Sequence, residues 1–499
     1  MHNLSKSRYV QFCQCPKALW LRLNKADVAV EDDKAQSRIE TGIEVGNLAK
    51  KYFEGTKDAT VLYPNTDNIN IEAMKKRTLE FIATGVSVIA EAAFEYEGCY
   101  CAVDLLVREG TLGFSIYEVK STTHIEQEHI VDVAYQKYVL EHCGINIVST
   151  HLLCLNSGYV RGEELDIQEL FSDNYIDGLV DEVLPDVEAN IKRAKQLIAE
   201  QDEPNIPIDK QCQKAGACPF WNYCAKDLPQ PNVFNIGEGM YFSAELALMK
   251  QGIVSFRQAY DAQCLKPKFQ KVVEANLFKK EFLDKNAVSD FLATMRYPLY
   301  HLDFETMQPA IPLFEGTSPY QQIPFQYSLH IQYEPCGPVE HKEFLAVSGE
   351  NPLRAIAESL VNNIPFDACS MAYNMTFEQT RLKELAELFP DLAEHLLSIR
   401  NNMVDLMIPF RNMDYYTDAM QGSYSIKYVL PALFPNDPEL DYHSLEDVHN
   451  GGEAMTIFPK IQFMAPDEQK RVRANLLKYC CLDTYAMVKV LGKLYEVVK

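Results

Sequence analysis

Three apolar segments with strand-like patterning, separated by short turns, constrain the fold of this chain more than any other feature. They are "VSVIAEAAFEYEG", "CYCAVDLLVREG" and "GFSIYEVKS", all within residues 85–121, and glycine-containing turns separate them. Residues 125–143 then have helical spacing with Gly144 as a C-terminal cap, and "INIVSTHLLCLN" is typical of a further strand. The order strand–strand–strand–helix–strand predicts an α/β unit.

A second α/β pattern begins at "YPLYHLDFET". The predicted strands "LYHLDFE", "FQYSLHIQY" and "KEFLAV" precede a helix at 351–363, the strand "ACSMAYN" and a helix at 377–387. This order differs from that of a doubly wound sheet and predicts a mixed sheet with helices packed on it. The intervening stretch is mostly helical and is interpreted as a connector. We therefore expect three parts, which are residues 1–227, 228–295 and 296–499.

The composition is that of an intracellular globular protein. At about 150 residues per domain, a chain of 499 residues predicts two to four domains. No apolar run reaches about 18 residues, and the N-terminus lacks the apolar core of a signal peptide, so we expect a cytoplasmic protein without a membrane partner. The net charge of −23 argues against a protein that coats nucleic acid through a basic surface. It is compatible with an enzyme that has a local basic channel and clustered metal-binding carboxylates.

Charged residues inside the predicted strands form a first candidate site. Glu118 and Lys120 are separated by one residue, so they project from one strand face, roughly 6–7 Å apart. Thirteen residues separate Asp104 from Glu118, enough for a turn and a return strand that would place the two carboxylates side by side. Such a pair repels unless a cation neutralises it, and oxygen ligands suit Mg²⁺ or Mn²⁺. Lys120 could then orient water or stabilise phosphate charge. The simpler alternative is an ion pair between Glu118 and Lys120 with an unrelated Asp104.

The cysteines form a second candidate site. Fourteen cysteines in a cytosolic chain predict thiols or metal ligands in place of disulfides. Cys212, Cys218 and Cys224 have five residues between each, and Cys15 near the N-terminus, with Cys13 as its competitor, offers a fourth thiolate. Four thiolates can hold zinc or a 4Fe–4S cluster. Spacing alone does not choose between these, and buried structural cysteines are the third alternative.

Acids in the C-terminal part form a third candidate site. Asp303 and Glu305 share one strand face, and Glu378 begins a predicted helix. Tyr479 and Asp483 lie four residues apart, on one helix face. Four acids from three segments would converge only around cations, as in two-metal phosphoryl transfer, with Tyr479 placed to hold the attacking water. Taken singly, each of these motifs has an ordinary structural explanation; an acid at the start of a helix, for example, stabilises the helix N-terminus.

The order of the first set resembles the PD-(D/E)XK nuclease core in its RecB-like branch. This resemblance implies a restriction-endonuclease-like fold in which the two acids and a backbone group bind the metal, the lysine assists the water and a glutamine on the next helix contacts the site. The sequence has Gly46 where many members of that branch carry a histidine, and Glu91 in the preceding strand is a substitute ligand. The implied residues are Asp104, Glu118, Val119, Lys120, Gln136 and Glu91.

The cysteine pattern resembles that of RecB-like nucleases related to the CRISPR-associated exonucleases. These proteins carry one cysteine before the nuclease core and three after it, and a 4Fe–4S cluster clamps the two ends of the domain. Here the resemblance includes a Cys-Pro pair at both Cys15 and Cys218. It implies that the cluster is structural and is held by Cys15, Cys212, Cys218 and Cys224, with zinc as the alternative.

The C-terminal acids resemble the DEDD motif of DnaQ-like, RNase H-fold exonucleases in its tyrosine variant. Glu378 stands where that family normally has aspartate. The whole chain therefore resembles bacterial two-part proteins. This implies a metal-dependent nuclease that acts on single-stranded or end-containing DNA or RNA, with a 3′-5′ exonuclease centre in the C-terminal part. The rival hypothesis is a non-catalytic nucleic-acid-binding or assembly module in which one or both nuclease folds are inactive.

Overall fold

The structure, a computed structural model, describes residues 4–31, 35–212, 216–440 and 448–499. The chain divides into two compact units: unit 1 consists of Met1–Lys226 and Pro309–Gln321, and unit 2 consists of Asp227–Gln308 and Gln322–Lys499. The stretch 228–295, interpreted above as a connector, falls within unit 2. The short segment after the first strand of the C-terminal sheet falls within unit 1.

Unit 1 has seven strands and eight helices in the part of the chain that the structure describes. They are, in chain order, β1 (Leu4–Ser5), α1 (Lys6–Gln14), α2 (Pro16–Asn24), α3 (Ala35–Ala49), β2 (Lys57–Asp58), α4 (Ile71–Ala83), β3 (Val88–Tyr96), β4 (Cys99–Glu109), β5 (Gly113–Lys120), α5 (Gln127–His142), β6 (Ile147–Leu155), α6 (Ile167–Leu170), β7 (Phe171–Tyr175), α7 (Asp177–Ala199) and α8 (Trp221–Cys224).

The strands of unit 1 form one mixed sheet. Its order is β2–β3–β4–β5–β6–β7, and β1 pairs with the beginning of β4. Strands β3, β4 and β5 form an antiparallel meander. Strand β6 lies parallel to β5, because α5 carries the chain back across the sheet before β6 begins. The α/β class expected from the sequence is confirmed.

The side chains of β5 alternate between two apolar clusters. Ile116 belongs to a cluster that includes Val133 of α5, whereas Tyr117 belongs to a second cluster that includes residues of α3. Because a strand has a side-chain period of two, the same alternation directs Glu118 and Lys120 toward α5. The sheet is thus apolar on both faces, and the charged positions interrupt only one of them.

Unit 2 has seven strands and eleven helices among its described residues. They are α9 (Phe242–Lys250), α10 (Phe256–Ala262), α11 (Pro267–Phe278), β8 (Phe282–Leu283), α12 (Lys285–Leu292), β9 (Leu299–Met307), β10 (Ile323–Gln332), β11 (Val339–Leu345), α13 (Leu353–Asn363), β12 (Cys369–Ala372), α14 (Thr376–Leu388), α15 (Ala393–Asn401), β13 (Met403–Asp405), α16 (Ile408–Arg411), β14 (Tyr415–Tyr416), α17 (Ile426–Leu433), α18 (Gly451–Ile457) and α19 (Pro466–Val498).

The main sheet of unit 2 has the order β11–β10–β9–β12–β13. Strands β9, β10 and β11 are antiparallel, whereas β12 and β13 continue the sheet in parallel to β9. Strand β10 is buried along its entire length and contacts α13 and α19. None of the helices in the described ranges is both long enough and apolar enough to cross a lipid bilayer.

One expected element differs between sequence and structure. The sequence suggests a single helix at about 173–201, but Phe171–Tyr175 form β7, and α7 begins only at Asp177. Strand β7 pairs antiparallel with β6, and Oδ1 of Asp177 accepts hydrogen bonds from the N–H and hydroxyl of Thr150, each 2.6 Å long. The open edge of β6 therefore determines the conformation of residues whose local pattern also suits a helix.

Candidate active sites

The first expected cluster assembles on the α5 side of the sheet in unit 1. Oδ2 of Asp104 on β4 accepts a hydrogen bond of 2.8 Å from the N–H of Val119 on β5. The Nζ atom of Lys120 lies 2.8 Å from Oε1 of Glu118. The structure therefore brings the two acids and the lysine together, and it also contains the ion pair that was the simpler alternative.

Lys6, which sequence reasoning did not single out, lies between the two acids. Its Nζ atom is 2.9 Å from Oε1 of Glu118 and 3.7 Å from Oδ1 of Asp104. Lys6 is the first residue of α1, which Ser5 caps by accepting a hydrogen bond from the Arg8 N–H. The ammonium group occupies the position of a cation shared by the carboxylates. No local pattern connects residues 112 positions apart, so this contact could not be predicted from the sequence.

Helix α5 contributes Gln136, as expected, and Asp132, which was missed. Nε2 of Gln136 donates to Oε2 of Glu118 at 2.7 Å and to Oδ1 of Asp132 at 3.0 Å. Oδ2 of Asp132 accepts from Nζ of Lys120 at 2.7 Å. Asp132 lies four residues before Gln136, on the same face of α5, so this spacing could have identified it.

Glu91 and Gly46 lie at the cavity around this cluster. Glu91 has a left-handed backbone with a φ of 53° where the β3–β4 pairing is interrupted, and such strain in a non-glycine residue is concentrated at functional sites. Its carboxylate is 3.6 Å from Nζ of Lys50. The cavity has a volume of about 1130 Å³, and its basic lining residues include Lys6, Arg8, Arg22, Lys50 and Lys120. Acids line it as well, namely Asp67, Glu91, Asp104, Glu118, Glu128 and Asp132, so the cavity carries charges of both signs.

The charges of this cluster shift one another's protonation. Burial and the neighbouring Glu118 carboxylate raise the pKa of Asp104 to about 7. Burial alone would raise the pKa of Glu118 as well, but the ammonium groups of Lys120 and Lys6 outweigh it and hold this pKa well below its usual value. Burial and Glu118 raise the pKa of Asp132. The two ammonium groups therefore favour the ionised form of Glu118, whereas Asp104 and Asp132 have raised pKa values that an added cation would lower.

The four expected cysteines lie near one another in unit 1. Burial raises the pKa of the Cys212 thiol, and the Cys15 and Cys218 thiols raise it further. Burial, opposed by Lys17, raises the pKa of Cys224 to about 11, with contributions from the other three thiols. Among the residues described, no three of these sulfur atoms lie within 4.8 Å of one another.

Cys13, the competitor of Cys15, behaves differently from that group. Desolvation raises the pKa of its thiol, while a hydrogen bond with Tyr9 and the charge of Arg193 lower it, and the cysteines above make no contribution. The structure therefore groups Cys15, and not Cys13, with Cys212, Cys218 and Cys224.

In unit 2, three of the expected acids converge. A carboxylate oxygen from each of Asp303, Glu305 and Asp483 lies within 4.8 Å of the others. The first two are on β9 and the third is on α19, which packs against β9. The thiol of Cys480 on α19 lies 3.9 Å from the carbonyl oxygen of Asp303 on β9, within the contact between these two elements. Tyr479 is buried one helical turn before Asp483, on the same face of α19.

Glu378, the fourth expected acid, is buried at the start of α14. Its carboxylate is not within 4.8 Å of all three converging acids. Its charge nevertheless raises the pKa of both Asp303 and Glu305. Its Oε2 atom is buried and has no hydrogen-bond partner among the described residues. Sequence reasoning missed Asp405, whose charge raises the pKa of Glu378 and whose Oδ1 accepts hydrogen bonds from two backbone N–H groups.

Glu305 and Glu378 are buried and Asp303 and Asp483 are partly buried, with little compensating positive charge nearby. Burial, Asp483, Glu378 and Glu305 raise the pKa of Asp303 well above its usual value. Burial and Asp405 raise the pKa of Glu378 to about 8. Lys427, also missed from the sequence, lowers the pKa of Glu305 but does not offset burial and Asp483. Among the described residues, no ion pair within 4.0 Å involves Asp303, Glu305 or Glu378. These acids can be ionised together only if cations join them.

Comparison with known proteins gives one family and two relatives. A family model described as "Domain of unknown function (DUF2779)" matches residues 300–425, a segment that contains Asp303, Glu305, Glu378 and Asp405 but ends before Asp483. The chain is 23% identical over 246 residues to "Uncharacterized protein MG366" of Mycoplasma genitalium, covering 46% of this chain and 36% of that protein. It is 26% identical over 236 residues to "Uncharacterized protein UU173" of Ureaplasma parvum, covering 43% and 34% respectively. The chain thus spans about a third of the length of these curated relatives.

Proposed function

We propose that this protein is a metal-dependent nuclease with two centres that hydrolyses phosphodiester bonds of DNA or RNA. The observation that carries the proposal is the convergence of Asp303, Glu305 and Asp483, with oxygens within 4.8 Å of one another and no ammonium partner for the two β9 acids in the described residues. Oxygen-only donor sets select Mg²⁺ or Mn²⁺. Buried acids that raise one another's pKa are a frequent feature of catalytic sites.

Unit 2 is proposed to be an RNase H-like exonuclease that acts on 3′ ends. The order β11–β10–β9–β12–β13, with β9 to β11 antiparallel and the last two strands parallel to β9, supports this assignment. Asp303, Glu305, Glu378 and Asp483 would hold the divalent cations, which supply charge neutralisation at the phosphate and activation of water when bound. Tyr479 would orient that water from the adjacent turn of α19.

Unit 1 is proposed to be a PD-(D/E)XK-like nuclease. The antiparallel hairpin that carries Asp104 and Glu118, followed by α5 and the parallel strand β6, supports it. The Lys6 ammonium between the two carboxylates indicates that the position suits a cation. Asp104, Glu118 and the Val119 backbone would hold the metal, with Glu91 nearby, while Lys120 contacts the phosphate or water. The cavity would admit the nucleic acid, with Arg8, Arg22 and Lys50 among its lining residues as partners for phosphate.

A 4Fe–4S cluster is proposed at Cys15, Cys212, Cys218 and Cys224. Four thiolates can hold either zinc or a 4Fe–4S cluster, and the other three thiols are near enough to Cys224 to raise its pKa. The order of these cysteines, one before the meander of β3 to β5 and three after it, favours the cluster over zinc by its resemblance to the iron–sulfur nucleases. Anaerobically purified protein should be brown, with iron and inorganic sulfide in equal amounts, and Cys212→Ser should lose both. Zinc in place of iron would reject the cluster.

The test of the nuclease proposal separates the two centres. Labelled single- and double-stranded DNA and RNA are incubated anaerobically with Mg²⁺ or Mn²⁺. Asp303→Asn should abolish nucleotide release from 3′ ends, and Lys120→Ala should abolish the other cleavage. Asp290→Asn and Lys192→Ala, at exposed positions of the same units, are the matched controls. If both active-site variants cleave as the wild type does, the proposal is wrong.

A specific observation favours a second candidate function for unit 1 alone. Because the ammonium groups of Lys6 and Lys120 already pair with Asp104, Glu118 and Asp132, the cluster is largely neutralised without a metal, and unit 1 could bind nucleic acid without cleaving it. In an Asp303→Asn background, metal-dependent cleavage that Lys120→Ala removes would exclude this candidate. Nucleic-acid binding without cleavage in that background would establish it.

A further inference from the structure

A third group of potential ligands lies in unit 2, apart from the acidic cluster. One donor atom from each of His330, His341 and Cys481 lies within 4.8 Å of the others. His330 is buried on β10, His341 is directly opposite it on β11, and Cys481 is on α19. The imidazole rings are 4.6 Å apart at their centroids. Three elements thus contribute one nitrogen or sulfur donor each.

Two hydroxyl groups fix the orientation of both rings. Oγ of Ser328 lies 2.9 Å from Nε2 of His341 and 2.6 Å from Oγ1 of Thr484. Oγ1 of Thr484 lies 2.7 Å from Nδ1 of His330 and 3.2 Å from the carbonyl oxygen of Cys481. Ser328 and Thr484 are both buried.

One arrangement of protons satisfies every member of this network. Thr484 donates to the Cys481 carbonyl, Ser328 donates to Thr484, and each imidazole donates one N–H to a hydroxyl. The lone pair then lies on Nε2 of His330 and on Nδ1 of His341. Metal-bound histidines have the same arrangement, since the ring nitrogen that does not bind the metal donates to a fixed acceptor.

We propose that His330, His341 and Cys481 bind a zinc ion that anchors α19 to the sheet of unit 2. Two imidazoles and a thiolate select zinc over Mg²⁺ or Mn²⁺. Zinc bonds of about 2.0–2.3 Å place tetrahedral donors about 3.3–3.8 Å apart, so small side-chain rotations complete the set. His341 and Cys481 are partly exposed, which gives the ion a path of entry and leaves its fourth position to water.

The position of this ion gives it a role beyond the proposed nuclease chemistry. Cys481 is two residues from Asp483 on α19. His301, opposite His330, shares its strand face with Asp303 and Glu305, since a strand has a side-chain period of two. His301 is two residues before Asp303 on β9, so the zinc site and the acidic cluster are neighbours on this face of the sheet. An ion at this position would fix α19, and with it Asp483, against β9.

The test measures metal binding by the full-length protein and does not depend on cleavage. The protein is treated with a chelator and titrated with Co²⁺, followed by displacement with Zn²⁺, and absorption difference spectra are recorded. With excess Mg²⁺ present to occupy the carboxylate sites, the thiolate-to-cobalt charge-transfer band of wild type should saturate at one equivalent of Co²⁺. Cys481→Ser should lose the band, and both Cys481→Ser and His341→Asn should weaken zinc binding by more than about 100-fold, which exceeds the loss typical of outer-shell changes.

Two controls separate this site from the other cysteines. Cys212→Ser removes a thiol of unit 1 and should retain the band, as should Cys264→Ser at an exposed position of unit 2. Zinc should raise the melting temperature of wild type but not that of Cys481→Ser. If Cys481→Ser does not fold, His341→Asn decides the question. Wild-type zinc affinity in both ligand variants, or a band that Cys212→Ser abolishes, would overturn the proposal without affecting the nuclease assignment.

Discussion

The Nζ atom of Lys6 lies 2.9 Å from Oε1 of Glu118, although the two residues are 112 positions apart in the chain. Since this ammonium also lies 3.7 Å from Asp104, it competes with any divalent cation for the same carboxylates. Lys6→Met should therefore lower the Mg²⁺ or Mn²⁺ concentration at which unit 1 is half-saturated. Isothermal titration in an Asp303→Asn background measures this concentration.

Lys75 provides the matched control for Lys6. It pairs with Glu72 and Glu95 away from the cluster, and Lys75→Met should leave metal affinity unchanged. Equal or weaker metal binding by Lys6→Met would mean that Lys6 supports the metal site and does not occupy it.

The buried Glu378 predicts a pH dependence of stability. Its pKa is raised to about 8, first by burial and then by Asp405, whereas in the unfolded chain it is about 4.3. Between these values the folded state keeps a proton that the unfolded state loses, so the free energy of unfolding of metal-free protein falls as pH rises. Below pH about 4.3 Glu378 is protonated in both the folded and the unfolded state, so it no longer makes the free energy of unfolding depend on pH. Glu378→Gln should flatten the dependence in thermal melts from pH 4 to 9.

Glu245 is the control that separates the effect of a buried carboxyl group on stability from the effect of metal binding. Burial raises its pKa to about 7, so Glu245→Gln should also stabilise the protein at high pH. Glu378→Gln should in addition reduce the increase in melting temperature caused by Mn²⁺, whereas Glu245→Gln should keep it. A full Mn²⁺ effect in Glu378→Gln would exclude Glu378 from the cation site.

Asp132 should contribute to stability as well as to the site. It is a buried partner of Lys120 at 2.7 Å, and removal of one partner from a buried ion pair costs about 3–5 kcal/mol. Asp132→Ala should therefore lower the free energy of unfolding by an amount in that range, measured by urea denaturation. Glu188→Ala removes the exposed i,i+4 pair with Lys192 and should change stability little. Comparable effects of the two substitutions would contradict the assignment of Asp132 to the cluster.

Gly451 approaches the acids of unit 2 closely. A Cβ atom at this position would lie 3.3 Å from Oε2 of Glu305, so Gly451→Ala should push the carboxylate aside and weaken Mn²⁺ binding a few-fold. Gly492 on α19 has no atom within 4 Å of a Cβ position, and Gly492→Ala should stabilise the helix with unchanged metal affinity. Unaltered Mn²⁺ binding by Gly451→Ala would show that Glu305 does not need its present position to bind the ion.

Local patterns in the sequence were sufficient for the secondary structure around both centres. The period of two in "LYHLDFE" places Asp303 and Glu305 on one face, and β9 is Leu299–Met307. The helices expected at 351–363 and 377–387 are Leu353–Asn363 and Thr376–Leu388. The failure at 173–201 occurred where pairing with the edge of β6 determined the conformation, because a strand at a sheet edge depends on a partner that local periodicity does not contain.

Which acids share a strand face or a helix face follows from the order of residues alone, since backbone geometry sets these relations within a few residues. The position of Lys6 between Asp104 and Glu118, and the meeting of His330, His341 and Cys481, arise only when the chain is folded. These groups come from different elements. Their distances depend on sheet order, on strand register and on how a helix packs across the sheet, and no periodicity along a single element carries that information.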